Sequence, residues 1–166
     1  SNGRLKAIGA GINELGMMER FLAFCEPDFW LVAMPYTLLR QEMLDGEFDL
    51  CAERGIGVVL GAPYQSGILA TGAIPGARCD YREATADELA RVARIEAVCA
   101  RHDVPIAAAA LQFVMGHPVV STVIPGAASR AQVERNVATF RHPIPADLWA
   151  ELKSDGLLRE DAPVPA

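Results

Sequence analysis

One stretch of the chain carries residue types whose spacing suits the binding of an anion. A β-branched run at 119–124 predicts a buried strand, and Pro125-Gly126 ends it because proline cannot donate to a strand ladder. Ser129 and Gln132 stand at capping-box spacing, so a helix is predicted to begin just after Ser129. Such a strand, turn and helix leave backbone N–H groups free at the strand's C-terminal end, where a phosphate can bind. An ordinary strand–helix unit without a ligand has the same local features, and taken alone they favour it.

The elements that must position this stretch alternate between strands and helices. Apolar runs that end in glycine or proline predict strands at 6–11, 29–34, 57–62 and 119–124. Helical spacing predicts helices at 15–25, at 38–54 with an uncertain start, at 87–101, at 105–115, after Ser129 and at 145–158. Thr85 and Glu88 form a second capping box, and Gly55 is a helix stop. The order favours an α/β fold with a parallel sheet, either half of an eight-stranded barrel or a small open sheet.

Composition excludes several classes of function. The 166 residues predict one domain, and the net charge of −6 argues against binding to nucleic acid or to an anionic membrane. No apolar run has transmembrane length. The four cysteines form no CxxC pair, three of them fall in predicted helices, and a reduced cytoplasmic protein is expected. The three histidines lack metal-ligand spacing, so no metal is expected, and Ser1-Asn2-Gly3 is typical of a cut end.

Several motifs resemble the aldo-keto reductases, in the order that this family has them. The run VIPGAAS at 123–129, followed by Gln132 and Asn136, resembles the family's last strand and helix. The run APYQSGIL at 62–69 resembles its seventh-strand loop, and 7–11 resembles its fifth strand. Details of these runs are most similar to a branch that includes L-fucose dehydrogenases, D-threo-aldose 1-dehydrogenases and pyridoxal 4-dehydrogenase-like enzymes.

The resemblance implies a (β/α)8 barrel whose active site lies at the C-terminal face of the strands. Residues 1–166 resemble only strands five to eight, with a tail helix, so the chain is expected to be a C-terminal half-barrel. The family's catalytic Asp, Tyr, Lys and His lie on strands two to four, which this sequence does not match. Tyr36, Tyr64 and Tyr81 fall in other segments, so no catalytic residue is expected here.

The resemblance also implies that most of a nucleotide site is present. Asn136 matches the residue that contacts the adenine ring, and the loop from Gly61 to Leu69 matches the one that folds over the pyrophosphate, with Ser66 and the Gly67 backbone as donors. Members that prefer NADP carry Lys at the position of Gly126 and Arg at that of Gln132. Without those cations the charge-assisted hydrogen bonds to a 2′-phosphate are lost. Arg135 is a partial substitute, so NAD is the expected cofactor and NADP the alternative.

The nicotinamide end departs further from the family. Gly61 replaces a stacking tyrosine, and the family's other contacts on strands five and six correspond here to Gly11-Ile12 and Ala33. Asn13, Tyr36 and Tyr64 are the nearby candidates to fill these roles. Loop packing is an equal alternative for the two tyrosines, and a helix N-cap is an equal alternative for Asn13.

Two classes of function follow from the resemblance. The first is the cofactor-binding half of an NAD-dependent aldose dehydrogenase, which oxidises a sugar such as L-fucose to its lactone. The second is a non-catalytic half-barrel, a binding or regulatory module that pairs with a separate first half or with a second copy. Either way an isolated half-barrel exposes sheet edges and apolar surface, so a partner is expected to cover its open side. A cut that removed the first half is the third alternative.

Overall fold

The computed structural model describes residues 3–165 and is built around a parallel sheet of four strands. Ser1 and Asn2, where a cut end was predicted, lie outside the described residues. The strands of the sheet are β1 (Gly9–Ile12), β2 (Phe29–Ala33), β3 (Gly57–Gly61) and β6 (Val120–Ile124), in the order β1-β2-β3-β6. A separate antiparallel hairpin, β4 (Arg78–Cys79) and β5 (Arg82–Glu83), follows β3 in the chain. All four carboxyl ends of the parallel strands therefore meet at one edge.

The described part of the chain contains seven helices. They are α1 (Met17–Leu22), α2 (Glu47–Arg54), α3 (Ile68–Thr71), α4 (Ala86–Arg101), α5 (Ile106–Phe113), α6 (Arg130–Phe140) and α7 (Ala146–Ser154). Short 3-10 turns lie at Glu42–Asp45, Gln65–Gly67 and Val114–Gly116. Helix α5 contacts α3, α4 and α6, and α7 packs on α4. Between residues 3 and 165 no helix combines the length and the apolar character needed to cross a membrane.

The two faces of the sheet differ in burial. Trp30, Val32, Val58 and Leu60 point to one face and are completely buried under the helices. Their neighbours in the chain point to the other face and remain half-buried: Phe29, Leu31 and Val59. The Phe29 ring lies over Gly9, where a β-carbon would come within 2.5 Å of the ring. The sheet is thus covered by helices on one face and open on the other.

Large apolar side chains are exposed at both lateral edges of the sheet. At the β6 edge they are Ile124 at 48%, Val133 at 51%, Val137 at 46% and Phe140 at 42%, and no residue of α6 is buried. At the β1 edge they are Leu5, Ile8, Leu15 and Phe24, each at least half exposed. Val133, Val137 and Phe140 give α6 an apolar face, and nothing in the described chain covers it.

Most of the predicted elements are confirmed, with shifted ends. Thr85 and Glu88 form the capping box of α4, and Gly55 ends α2 in the left-handed region at φ 67°. The 38–54 helix is confirmed only from Glu47, because Gly46 interrupts it. The tail helix ends at Ser154 rather than at 158. Sequence patterns missed α3 and the β4–β5 hairpin.

The predictions for the start of α6, the end of the first helix and the location of Cys25 need correction. Ser129 caps α6 by accepting a bond from the Gln132 N–H at 3.3 Å, but the Gln132 side chain bonds the N–H of Ala128 rather than that of Ser129. The first helix ends at Leu22, so Cys25 lies beyond it and is exposed, whereas Cys51 and Cys99 are buried in helices as predicted. All four thiols are free.

Candidate functional site

Backbone strain concentrates at the carboxyl ends of the parallel strands. Seven non-glycine residues in the described chain have a positive φ, and six of them lie at this end of the sheet: Met34, Ala62, Gln65, Ser66, Asp80 and Tyr81. Residues other than glycine rarely adopt this conformation, which costs about 1–3 kcal/mol per residue and persists only where the surroundings enforce it. Strained residues of this kind cluster at ligand sites, so this edge of the sheet is a candidate ligand site.

A hydrogen-bonded chain joins the loop after β3 to the turn after β6. The Tyr64 hydroxyl donates to Oδ1 of Asn136 at 3.1 Å, and Nδ2 of Asn136 donates to the carbonyl of Gly126 at 3.3 Å. Tyr64 and Asn136 are half-buried, and Gly126 is exposed. Burial raises the pKa of Tyr64 to about 12, so its hydroxyl stays a donor across the physiological range. Three of the residues predicted for the nucleotide site are therefore linked by hydrogen bonds, and Tyr64, a candidate for the nicotinamide end, lies beside the residue predicted for the adenine ring.

The turn after β6 has room for a ligand. A β-carbon at Gly126 would meet no heavy atom within 4 Å, and its φ lies outside the left-handed region. Arg135 and Gln132 are exposed on the adjoining helix. Because Gln132 Oε1 accepts from the Ala128 N–H, one of the backbone donors predicted to bind an anion is already engaged.

The loop after β3 holds its predicted residues in different environments. Ser66 Oγ accepts from the Tyr81 N–H at 2.9 Å and keeps its own proton to donate. The Gly67 N–H donates to the Tyr64 carbonyl at 2.9 Å, so this predicted backbone donor is occupied within the loop. The Leu69 side chain is completely buried and packs in the core. Gly61 is buried at the end of β3, beside Leu31.

The two remaining candidates separate. Asn13 is exposed and lines a cleft of about 380 Å³ with Met34, Pro35, Arg40, Asp80 and Tyr81 at its walls. It is not an N-cap, because α1 begins after Gly16. Tyr36 is completely buried, with its ring centroid 4.7 Å from that of Phe48 and 5.3 Å from that of Phe113. For Tyr36 the loop-packing alternative is correct, and its side chain does not reach the cleft.

Sequence reasoning missed a polar cluster beneath the cleft. Gln65 is completely buried; its Oε1 accepts from the Thr37 hydroxyl at 2.8 Å and its Nε2 donates to Asp80. Arg40 pairs with Asp80 at 2.5 Å and with Glu88 at 3.4 Å. These residues come from three separate loops and from helix α4, and no spacing in the sequence links them.

Two other groups of residues have site-like features, but neither suits a nucleotide. A cleft of about 810 Å³ between α1 and α2 would repel phosphates, because the charged residues of its lining are six acids and one arginine: Glu19, Glu42, Asp45, Glu47, Asp49, Glu53 and Arg54. Cys79, Asp80 and Glu88 converge within 4.8 Å. Both carboxylates are already paired with arginine, and the hydrogen bond from Arg82 lowers the pKa of Glu88 to about 2, so we interpret this cluster as a structural ion-pair network.

Comparison with known proteins identifies the family of this fold. The model of the family described as the aldo/keto reductase family matches residues 1–155. The chain belongs to the aldo/keto reductase family. The resemblance found in the sequence is thereby confirmed, and with it membership of an oxidoreductase family whose members bind nicotinamide cofactors.

Three known aldo/keto reductase relatives show how much of the fold the chain contains. It is 35% identical over 156 residues to pyridoxal 4-dehydrogenase of Microbacterium luteolum, covering 94% of this chain and 46% of that protein. It is 35% identical over 159 residues to D-threo-aldose 1-dehydrogenase of a Pseudomonas species, covering 95% and 48%. The holo form of aldo-keto reductase AKR11C1 from Bacillus halodurans superposes with a TM-score of 0.66 at 25% identity, covering 88% of this chain and 48% of that one. The chain thus spans about half the length of the relatives it matches.

Proposed function

We propose that residues 1–166 are the cofactor-binding, C-terminal half of an aldo/keto reductase barrel, equivalent to its strands five to eight. The hydrogen-bonded chain Tyr64–Asn136–Gly126 carries this proposal, because it joins the loop after β3 to the turn after β6. In the proposed site Asn136 meets the adenine ring, Ser66 donates to the pyrophosphate, and Asn13 lies towards the nicotinamide. The parallel order β1-β2-β3-β6 and the open sheet face support a half-barrel.

The residues present favour NAD over NADP. A 2′-phosphate is bound most strongly by cations placed to make charge-assisted hydrogen bonds. Gly126 supplies no side chain, and the Gln132 amide oxygen is engaged by the Ala128 N–H. Arg135 is exposed one residue before Asn136. In this proposal it is the cation that binds the 2′-phosphate when NADP is the cofactor.

In the whole protein we propose oxidation of an aldose of the L-fucose type to its lactone. A bound nicotinamide cofactor would supply the acceptor for the hydride from C1 of the sugar, and the proton of the C1 hydroxyl would pass to a base. Two relatives are named as dehydrogenases of an aldose and of pyridoxal, which supports this direction of reaction. The chain described here binds and orients the cofactor, while the family's catalytic Asp, Tyr, Lys and His belong to strands that it does not match.

A second candidate function rests on the exposed apolar edges. Between β6 and α6 lies a groove of about 680 Å³, here called the edge groove, lined by Leu111, Met115, Val123, Ile124, Val133, Val137 and Phe140. We propose that the first half of the barrel covers this groove and the β1 edge. The alternative, a non-catalytic half-barrel paired with a second copy, uses the same surfaces.

Free thiols and the absence of a disulfide among the described cysteines support a reducing, cytoplasmic setting.

Titration of the purified chain with NADH and with NADPH, followed by nucleotide fluorescence, tests the proposal. We expect saturable binding of NADH and weaker binding of NADPH. Asn136→Ala should weaken NADH binding, while Ala138→Ser, an exposed change on the same helix, should not. Failure of the wild-type chain to bind either nucleotide would remove the proposed cofactor site. Equal binding of both would remove the roles given to Gly126 and Gln132.

A further inference from the structure

The buried amide of Gln65 lies where three loops meet at the carboxyl ends of the strands. Its Oε1 accepts from the hydroxyl of Thr37, in the loop after β2, at 2.8 Å. Its Nε2 donates to Asp80, at the tip of the β4–β5 hairpin, and lies 3.9 Å from the sulfur of Met34. Gln65 itself belongs to the loop after β3 and has no exposed surface. One side chain therefore connects all three loops.

The partners of Gln65 are themselves fixed. The Thr37 hydroxyl accepts from the N–H groups of Leu39 and Arg40, both at 3.2 Å, which closes the turn after β2. Asp80 is paired with Arg40 at 2.5 Å. An amide held between two immobile groups in a buried setting has little freedom to rotate, and losing it leaves both groups without that partner.

The same contacts hold a strained backbone. Gln65 has a φ of 47° and Ser66 a φ of 59°, and neither residue is a glycine. Tyr64 precedes Gln65 and bonds Asn136, while Ser66 follows it and accepts from the Tyr81 N–H. If Gln65 relaxed to a negative φ, the residues on both sides of it would turn away from these partners.

We propose that Gln65 is a positioning residue that sets the conformation of the 62–67 loop and, through it, the affinity for the nucleotide. This inference rests on the proposed function, because it concerns the same loop. Gln65 acts without touching the ligand: it is completely buried, while its neighbour Tyr64 holds Asn136 and its neighbour Ser66 donates to the pyrophosphate in the proposed site. In its absence the loop samples other conformations, and the apparent affinity falls by the fraction of time spent in the competent one.

Gln65→Leu tests the proposal, since leucine nearly matches the volume of glutamine but makes no hydrogen bond. Thr37→Val removes the hydroxyl that donates to Gln65. It tests the same hydrogen bond if Gln65→Leu does not fold. Gln112→Leu is the matched control: its Nε2 donates to the His142 carbonyl at 2.7 Å, which also joins two elements, but away from the loops of the site. NADH affinity, melting temperature and amide hydrogen exchange are measured for all four proteins.

We expect Gln65→Leu and Thr37→Val to weaken NADH binding by about tenfold, as a loop that is competent a tenth of the time would. Exchange at the N–H groups of Gly67 and Tyr81 should accelerate in both. Gln112→Leu should lower the melting temperature and leave the affinity unchanged. If wild-type chain binds NADH and Gln65→Leu binds it equally well, the positioning role is wrong while the proposed function stands. If wild-type chain binds no nucleotide, both are wrong.

Discussion

Breaking the hydrogen bond between Tyr64 and Asn136 should lower the free energy of unfolding. Either single substitution removes this bond, so its contribution should be lost only once when both are made. Tyr64→Phe removes one neutral bond of 3.1 Å, and Asn136→Ala removes that bond together with the one to the Gly126 carbonyl at 3.3 Å. A neutral hydrogen bond contributes about 0.5–1.5 kcal/mol net. We therefore expect losses of about 1 kcal/mol for Tyr64→Phe and about 2 kcal/mol for Asn136→Ala.

The double variant tests whether the contact exists. If the bond forms, the loss in the double variant is smaller than the sum of the two single losses by about 1 kcal/mol. Urea unfolding at pH 7 gives the four free energies of unfolding. Tyr81→Phe is the control partner for Asn136→Ala, because the Tyr81 side chain is 69% exposed and lies elsewhere in the loops. Additive losses for Tyr64 and Asn136, equal to those of the control pair, would refute the contact.

Alkaline pH tests the burial of the Tyr64 hydroxyl, separately from its hydrogen bond to Asn136. Burial raises the pKa of Tyr64 from 10.0 to about 12, so its protonated form is favoured in the folded state. A raised folded pKa stabilises the fold below the unfolded pKa, and this stability is lost as pH rises from about 10 to about 12. Tyr64→Phe should lose less stability than wild type over that range. An identical loss of stability in both proteins would contradict the burial of the Tyr64 hydroxyl.

Three further predictions concern charge and exposed surface. Gly126→Lys should raise NADPH affinity about tenfold and leave NADH affinity unchanged, because the site has space and gains a cation; an equal gain with Ala138→Lys would show a non-specific charge effect. Glu88→Gln should lose less stability than wild type between pH 4.5 and about 2, since a lowered folded pKa stabilises only above the unfolded value; parallel acid unfolding curves would contradict this. Val137→Asp should reduce self-association in sedimentation velocity, whereas Ala138→Asp, outside the edge groove, should not; equal behaviour of the two would exclude the groove as the contact.

The sequence predicted the parallel strands because each is a short apolar run closed by glycine or proline. It also predicted Tyr64, Asn136 and Gly126 as site residues, through the family resemblance rather than through local chemistry. The bond between Tyr64 and Asn136 joins residues 72 positions apart, so no local pattern contains it. The distance between two loops depends on the register of β3 and β6, which only the folded sheet fixes.

Tyr36 shows where sequence reasoning failed. An aromatic residue just after a strand can point into a cleft or into the core, and the sequence around it is the same in both cases. Phe48 from α2 and Phe113 from α5 form the cavity that takes its ring, and both come from distant parts of the chain. The role of Gln65 could not be predicted from the sequence for a related reason, because its partners Thr37 and Asp80 lie in other loops.

The location of bound nucleotide tests the central claim most directly. Hydrogen–deuterium exchange of the chain with and without saturating NADH reports protection along the whole backbone. We predict protection at 62–68 and 125–136, the two segments that the Tyr64–Asn136 bond connects. Protection at the acidic cleft between α1 and α2, or none at either of the two predicted segments, would contradict the account.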